Sequence, residues 1–101
     1  MNISSNISSM QAHQTMLNAS ASNIANANTD GYVPKDTKIS ETANGLKADT
    51  RMANNTGSAK SQTDLSKEIT DQIIASKGNA ANVTAIKAQD DILGSMLDIK
   101  A

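Results

Sequence analysis

At 101 residues, with a formal net charge of −1 and no cysteine, the chain has room for one small domain and excludes disulfide and thiolate-metal chemistry. Ten Ile, five Leu, two Val and no Phe put strongly apolar residues below the roughly 20% at which a chain buries a core unaided, so partners are expected to supply the missing apolar contact. Arg51 is the single arginine and no lysine precedes Lys35, which leaves no basic patch for nucleic acid or anionic lipid.

The N-terminus, Met1-Asn2-Ile3-Ser4-Ser5, has neither the positive region nor the continuous apolar run of a cleaved secretory signal. No stretch approaches the ~18 apolar residues that cross a bilayer. The chain is therefore expected to be cytoplasmic, or exported by a route that reads an uncleaved N-terminus. The first element is an amphipathic helix from Ile3 to Ala27. It carries Ile3, Ile7, Met10, Leu17, Ala21 and Ile24 at steps of four and three once Gln14 is counted, which is a heptad seam. Ser, Asn, Gln and Ala fill its other faces and lower its helix propensity. Asp30-Gly31 is turn chemistry and Pro34 forbids helix soon afterwards, so the N-terminal unit is read as residues 1–32.

Residues 33–62 are polar, with Ile39, Leu46 and Met52 as their larger apolar side chains. They read as an extended connector, with either a short strand over Lys35–Ser40 or a loose hairpin turning at Asn44-Gly45, and residues 53–62 read as a mobile linker. Residues 63–101 read as one long helix capped by Thr63 or Asp64, with a seam of Leu65, Ile69, Ile73, Ala80, Val83, Ile86, Leu93 and Leu97. The expected fold is mainly α: an antiparallel, coiled-coil-like pair of long N- and C-terminal helices, one discontinuous domain made of both termini. Such a pair leaves Ile74, Ile92, Met96 and Ile99 without an intramolecular partner, which predicts contacts with other subunits.

The run Ser22-Asn23-Ile24-Ala25-Asn26-Ala27-Asn28-Thr29-Asp30-Gly31-Tyr32 closes the first helix, and Asp64-Leu65-Ser66-Lys67-Glu68-Ile69 opens the second. Together with Asp90-Asp91-Ile92-Leu93-Gly94-Ser95-Met96-Leu97, they resemble the bacterial flagellar axial family of basal-body rod and hook proteins. In that family the first helix ends in Asn-Ile-Ala-Asn-Ala-Asn-Thr-Pro-Gly-Tyr, and the second opens on Asp-Leu followed by acidic residues. A Gln-Ala-Asn-Ala run near the middle of the second helix is similar to Asn79-Ala80-Ala81-Asn82. The resemblance covers Ser9–Tyr32 and Thr63–Ile99. Asp30 stands where the family has Pro, Asn79 replaces an aromatic residue, and the short 33–62 segment stands where most members insert a β-rich domain. The C-terminal wording is similar to hook proteins and the size to a proximal rod subunit; both positions stay open.

The resemblance implies a structural, non-enzymatic subunit of the rod or the rod–hook junction that polymerises into a helical tube. It implies a periplasmic, axial location in the basal body, a role in motility, and type III export without a cleaved signal. The implied partners are other rod and hook subunits, homologous or identical, and the flagellar export apparatus. Seams and motif together nominate the subunit interface: Ile3, Ile7, Met10, Leu17, Ile24, Asn26, Asn28, Gly31, Tyr32, Leu65, Ile69, Ile73, Val83, Ile86, Leu93, Met96 and Leu97. No cofactor, metal or small-molecule substrate is expected, because His13 is the sole histidine with no Cys or carboxylate cluster in helical reach, and Asp90-Asp91 point to different helix faces. Gly78 and Gly94 each cost a helix up to about 1 kcal/mol relative to Ala, and close approach of neighbours is the expected return. A second reading is a weakly folded helical binding module, an export chaperone or regulator that never polymerises; the number of simultaneous contacts separates the two.

Overall fold

The computed structural model describes residues 3–100 as two helices and one hairpin, in the order α1 (Ile3–Ala25), β1 (Lys35–Thr42), β2 (Gly45–Met52) and α2 (Leu65–Lys100). The side chain of Ile99 lies outside the described residues. The 36 residues of α2 span about 54 Å at the usual rise, and they set the long axis of a body measuring 67 × 22 × 14 Å.

Each helix ends for local reasons. The Asn26 N–H is shared between Ser22 O (3.1 Å) and Asn23 O (3.2 Å), and Ala27 and Thr29 bond three residues back to Ile24 O and Asn26 O. These tighter bonds unwind α1 just short of Ala27. Asn26 Nδ2 then returns to Ser22 O at 2.9 Å, and Gly31, with φ of 73°, reverses the chain. At the start of α2, Asp64 Oδ1 accepts the N–H groups of Ser66 (3.1 Å) and Lys67 (3.3 Å), as an N-cap should. Thr63, the other expected cap, is turned inward and donates to Asn23 O at 3.1 Å.

The connector is a full antiparallel hairpin with Thr42 opposite Gly45. Its two-residue turn is Ala43-Asn44, one position earlier than expected, and Gly45 opens β2 with φ of 118°. Pairing puts Thr37, Ile39 and Glu41 with Thr50, Ala48 and Leu46 on one face; Leu46 and Ala48 line a groove with Ser8, Ala12 and Thr15 of α1. The other face sets Asp36 opposite Arg51 and Lys38 opposite Asp49, opposite charges that suit a solvated surface. Residues 53–62 form a fastened strap in place of a free linker. Asn55 Oδ1 accepts Gly57 N (2.8 Å) and Gln62 Nε2 (3.0 Å), while Gln62 Oε1 accepts Thr56 N at 3.0 Å. Backbone bonds Gly31 N to Ala59 O (2.8 Å), Gln62 N to Tyr32 O (3.0 Å) and Ala53 N to Pro34 O (2.8 Å) tie the strap to the α1 exit.

The helices run antiparallel, with Asn6 against Gln89, His13 against Gly78 and Ser20 against Glu68. The apolar seams expected to face each other do not close the pair. The buried and half-buried heptad line of α1 is Asn6, Ser9, His13, Met16, Ser20 and Asn23, and that of α2 is Glu68, Gln72, Ala75, Asn79, Asn82, Ile86 and Gln89. Both lines keep the three-four spacing, but all six positions of α1 lie one residue before the expected ones, a rotation of about 100°, and in α2 Glu68, Gln72, Asn79 and Asn82 do the same while Ile86 stays on the line as expected. Short side chains let the backbones approach, and the rotation pairs polar groups: Ser20 Oγ donates to Glu68 O at 3.0 Å and Asn6 Nδ2 to Gln89 Oε1 at 3.3 Å. Among the described residues the fully buried apolar ones are Ala12, Ala19 and Ala75. Asn6 Oδ1, His13 Nδ1, Glu68 Oε2 and Asn79 Oδ1 are buried without a partner, each at a cost of about 1–3 kcal/mol. The pair is therefore specific in register and modest in strength.

Candidate assembly surface and the Asn23 junction

Asn23 sits at the end of α1 with no exposed surface. Its Nδ2 donates to Lys35 O and to Glu68 Oε1, both at 2.8 Å. Its Oδ1 accepts Lys35 N at 2.8 Å and the Tyr32 hydroxyl at 2.9 Å. One amide thus uses its two donors and two acceptor sites to hold the start of β1, the segment leaving α1 and the first turn of α2. No other side chain type of this size offers the same set. Thr63 adds a bond to the Asn23 carbonyl. Beside this junction Lys67 bridges Asp71 at 2.8 Å and Asp36 at 3.3 Å, tying α2 to β1. The hydrogen bond to Asp71, with Asp36 adding and burial opposing, holds the Lys67 ammonium above its ordinary pKa.

Within the turn motif, Tyr32 is half-buried with its hydroxyl on Asn23, so the hydroxyl is engaged inside the subunit. Asn26 holds the helix end, while Asn28 and Gly31 are exposed on the turn. Asn23 belongs to the same run and is missing from the nominated interface residues. The signal for it was its place on the α1 line three residues after Ser20 and seven after Met16.

The nominated apolar residues lie on the outside. Ile3, Ile7, Leu65, Ile69, Ile73, Val83, Leu93, Met96 and Leu97 keep between 43% and 63% of their surface exposed. Met10, Leu17, Ile24 and Ile86 are half-buried. Because both helices are rotated, Ile3 and Met10 of α1 come alongside Val83 and Ile86 of α2. They line one groove of about 460 Å³ flanked by Lys87 and Asp90. Gln89 lies level with Asn6, so Leu93, Met96 and Leu97 carry α2 past Ile3, the first described residue of α1. The structure brings the N-terminal and central apolar residues into one strip and leaves Leu65, Ile69 and Ile73 as a separate stretch near the junction. Among the described residues no group of His, Cys, Asp and Glu is arranged to hold a metal, and no helix is long and apolar enough to cross a membrane.

Residues 3–32, which span α1 and the whole turn through Tyr32, match the family model described as the flagella basal body rod protein. A search of curated proteins found no match to this sequence.

Proposed function

We propose that the protein is a structural subunit of the flagellar basal-body rod, or of its junction with the hook, and that it polymerises into a helical tube through the outer faces of α1 and α2; the match of residues 3–32 to the rod-protein model supports this reading. The observation that carries this reading is the inverted pairing of the helices. Polar and small residues are closed against each other, while Ile3, Ile7, Val83, Leu93, Met96 and Leu97 face outward. An apolar strip of this kind is a liability on a monomer and is what a non-closing array of identical or homologous subunits covers. The half-buried Met10 and Ile86 lie in the strip, Leu65, Ile69 and Ile73 offer a second apolar stretch near the junction, and Asn28 and Gly31 are exposed at the turn. Asn26 and Tyr32 serve the interface by holding that turn in shape. The overhanging end of α2 is suited to reach the next subunit along the axis. Export without a cleaved signal, through the flagellar export apparatus, delivers the subunit to its periplasmic position.

The test is a Leu93→Ala, Leu97→Ala double variant. A Leu buried in an assembled wall is worth about 2–5 kcal/mol, whereas these two are exposed in the subunit. Melting of the isolated subunit should stay unchanged, secreted subunit should accumulate, and rods and swimming should be lost. A Lys60→Ala variant on the strap serves as the control. If the double variant builds rods and swims as the control does, the reading fails. A fixed one-to-one complex that never grows would favour a binding module instead.

A further inference from the structure

The hairpin turn holds chemistry that assembly does not use. Asn44-Gly45 is the one Asn-Gly pair in the sequence. Asn44 is exposed, and among the described residues its side-chain amide makes no hydrogen bond; only its backbone N–H is held, by Thr42 Oγ1 at 3.3 Å. Gly45 has no Cβ, so nothing on that residue screens its nitrogen from Asn44 Cγ. Asn28 and Asn54 are exposed too, but each is followed by a residue with a side chain, and three further asparagines are guarded. Asn23 uses its whole amide, Asn26 gives Nδ2 to Ser22 O, and Asn55 Oδ1 accepts two donors. The Asp30-Gly31 pair is open to the same kind of ring closure, but its Gly31 N–H is held by the strap at Ala59 O (2.8 Å), whereas Gly45 is held only by the closing pair of the hairpin with Thr42, which frays at the tip.

We infer that Asn44 is a site of spontaneous covalent modification, closing on Gly45 to a succinimide and reopening as aspartate and isoaspartate. The Gly45 nitrogen adds to Asn44 Cγ, the bond from Cγ to the amide nitrogen Nδ2 breaks, and ammonia leaves with the proton that Gly45 gave up. Water then opens the ring. Attack at Cγ gives aspartate in a normal backbone; attack at the backbone carbonyl carbon gives isoaspartate, with the backbone running through Cγ and one extra carbon. Asparagine lability of this kind is greatest where the backbone opens easily, and an exposed hairpin tip is such a place.

Both products add a negative charge near the exposed Glu41. Only the isoaspartate changes the length of the turn, and it does so beside a residue that is packed against α1. Gly45 is seated so closely on α1 that even a Cβ would come within 2.6 Å of Ser5 O. A longer turn must lift the tip from the helix, so the age of a subunit is written into how its hairpin is docked.

The experiment ages the purified full-length protein at mildly alkaline pH and follows each Asn-containing peptide by mass spectrometry, with fragmentation that separates the two isomers. Asn44 should convert roughly tenfold or more ahead of every other asparagine, since opening at the tip costs little. An acidic species should grow on ion exchange and be absent from Asn44→Gln. The isoaspartate fraction should lose amide-exchange protection over 45–48, while Asn44→Asp, which carries the charge without the extra carbon, retains it. The inference is overturned if Asn18, Asn54 or Asn55 converts as fast as Asn44, or if Asn44→Gln ages at the same rate. It is overturned equally if the isoaspartate fraction keeps full protection.

Discussion

The closed line and the open line of this helix pair have the same spacing and opposite chemistry. Asn6, Ser9, His13, Ser20 and Asn23 lie one residue before Ile7, Met10, Gln14, Ala21 and Ile24, and the first set is turned inward. Apolar contact is indifferent to register, because any stripe can slide along any other. A buried amide or carboxylate is not indifferent, since it is satisfied only where its partner stands. Placing the polar line inside therefore fixes which residues of α2 meet which residues of α1. The adaptable apolar line is left free for another surface. The division teaches that, in the proposed assembly, specificity within the subunit and affinity between subunits fall to different faces of the same helices.

That comparison breaks most visibly at the junction. Replacing Asn23 with Leu keeps the bulk and removes four hydrogen bonds, leaving Lys35 N, Lys35 O and Glu68 Oε1 unpaired and the Tyr32 hydroxyl with its longer 3.5 Å contact to Ser22 Oγ. The loss should exceed about 3 kcal/mol in a denaturant titration of the isolated subunit. Unchanged stability would mean that the inner line does not hold the subunit together. The contrast with Leu93→Ala, Leu97→Ala, expected to spare the subunit and abolish assembly, is the sharpest form of the comparison.

Two glycines on one helix test the same division at smaller scale. A Cβ on Gly78 would lie 2.5 Å from His13 Nε2, so Gly78→Ala should cost about 1–2 kcal/mol by overpacking, partly offset by helix propensity. In a His13→Ala background the same change should turn stabilising, by up to about 1 kcal/mol, in a double-mutant cycle. Gly94 has nothing within 4 Å, and Gly94→Ala should stabilise the isolated subunit by up to about 1 kcal/mol. A fall in assembly with that gain would locate a neighbouring subunit at Gly94. The weakest effect belongs to Lys67, whose side chain is 45% exposed. Its pKa is raised in the fold, so its contribution is complete below the ordinary lysine value and disappears as pH rises through the raised one. Solvent and salt screening limit it to at most about 0.5 kcal/mol. The difference between the native protein and Lys67→Met should vanish in strong alkali or in high salt.

The two helices, their antiparallel order, the Asp64 cap and the turn after Asn28 were legible because each depends on nearby residues: repeating spacing, a capping carboxylate, Asp-Gly. The rotation was not. A line of Asn, Ser and Gln at three-four spacing looks like a solvated face until its partner is known, and Asn23 and Glu68 stand 45 positions apart. The turn at Asn44-Gly45 was nearly right, displaced because Asn44 keeps a negative φ and Gly45 takes the positive one. The strap over 53–62 looked mobile because its composition is polar. Its order comes from Gln62 and Asn55 closing on each other across a loop, a reciprocity that composition does not carry. Of the nominated interface residues, the apolar ones were legible as a group by spacing, whereas the internal duty of Tyr32 required the fold.

The bond from Ala53 N to Pro34 O closes the neck of the hairpin right beside Asn23. Everything between Lys35 and Met52 leaves and re-enters through that one clasp, and beyond it the hairpin is held to the helices by its own contacts, Leu46 and Ala48 along α1 and Asp36 on Lys67. The clasp makes the hairpin an excursion from the helical stem that is entered and left at one point. The hairpin is thus a scion on the helical stock, joined at one neck and laid along α1 by the residues of a single face.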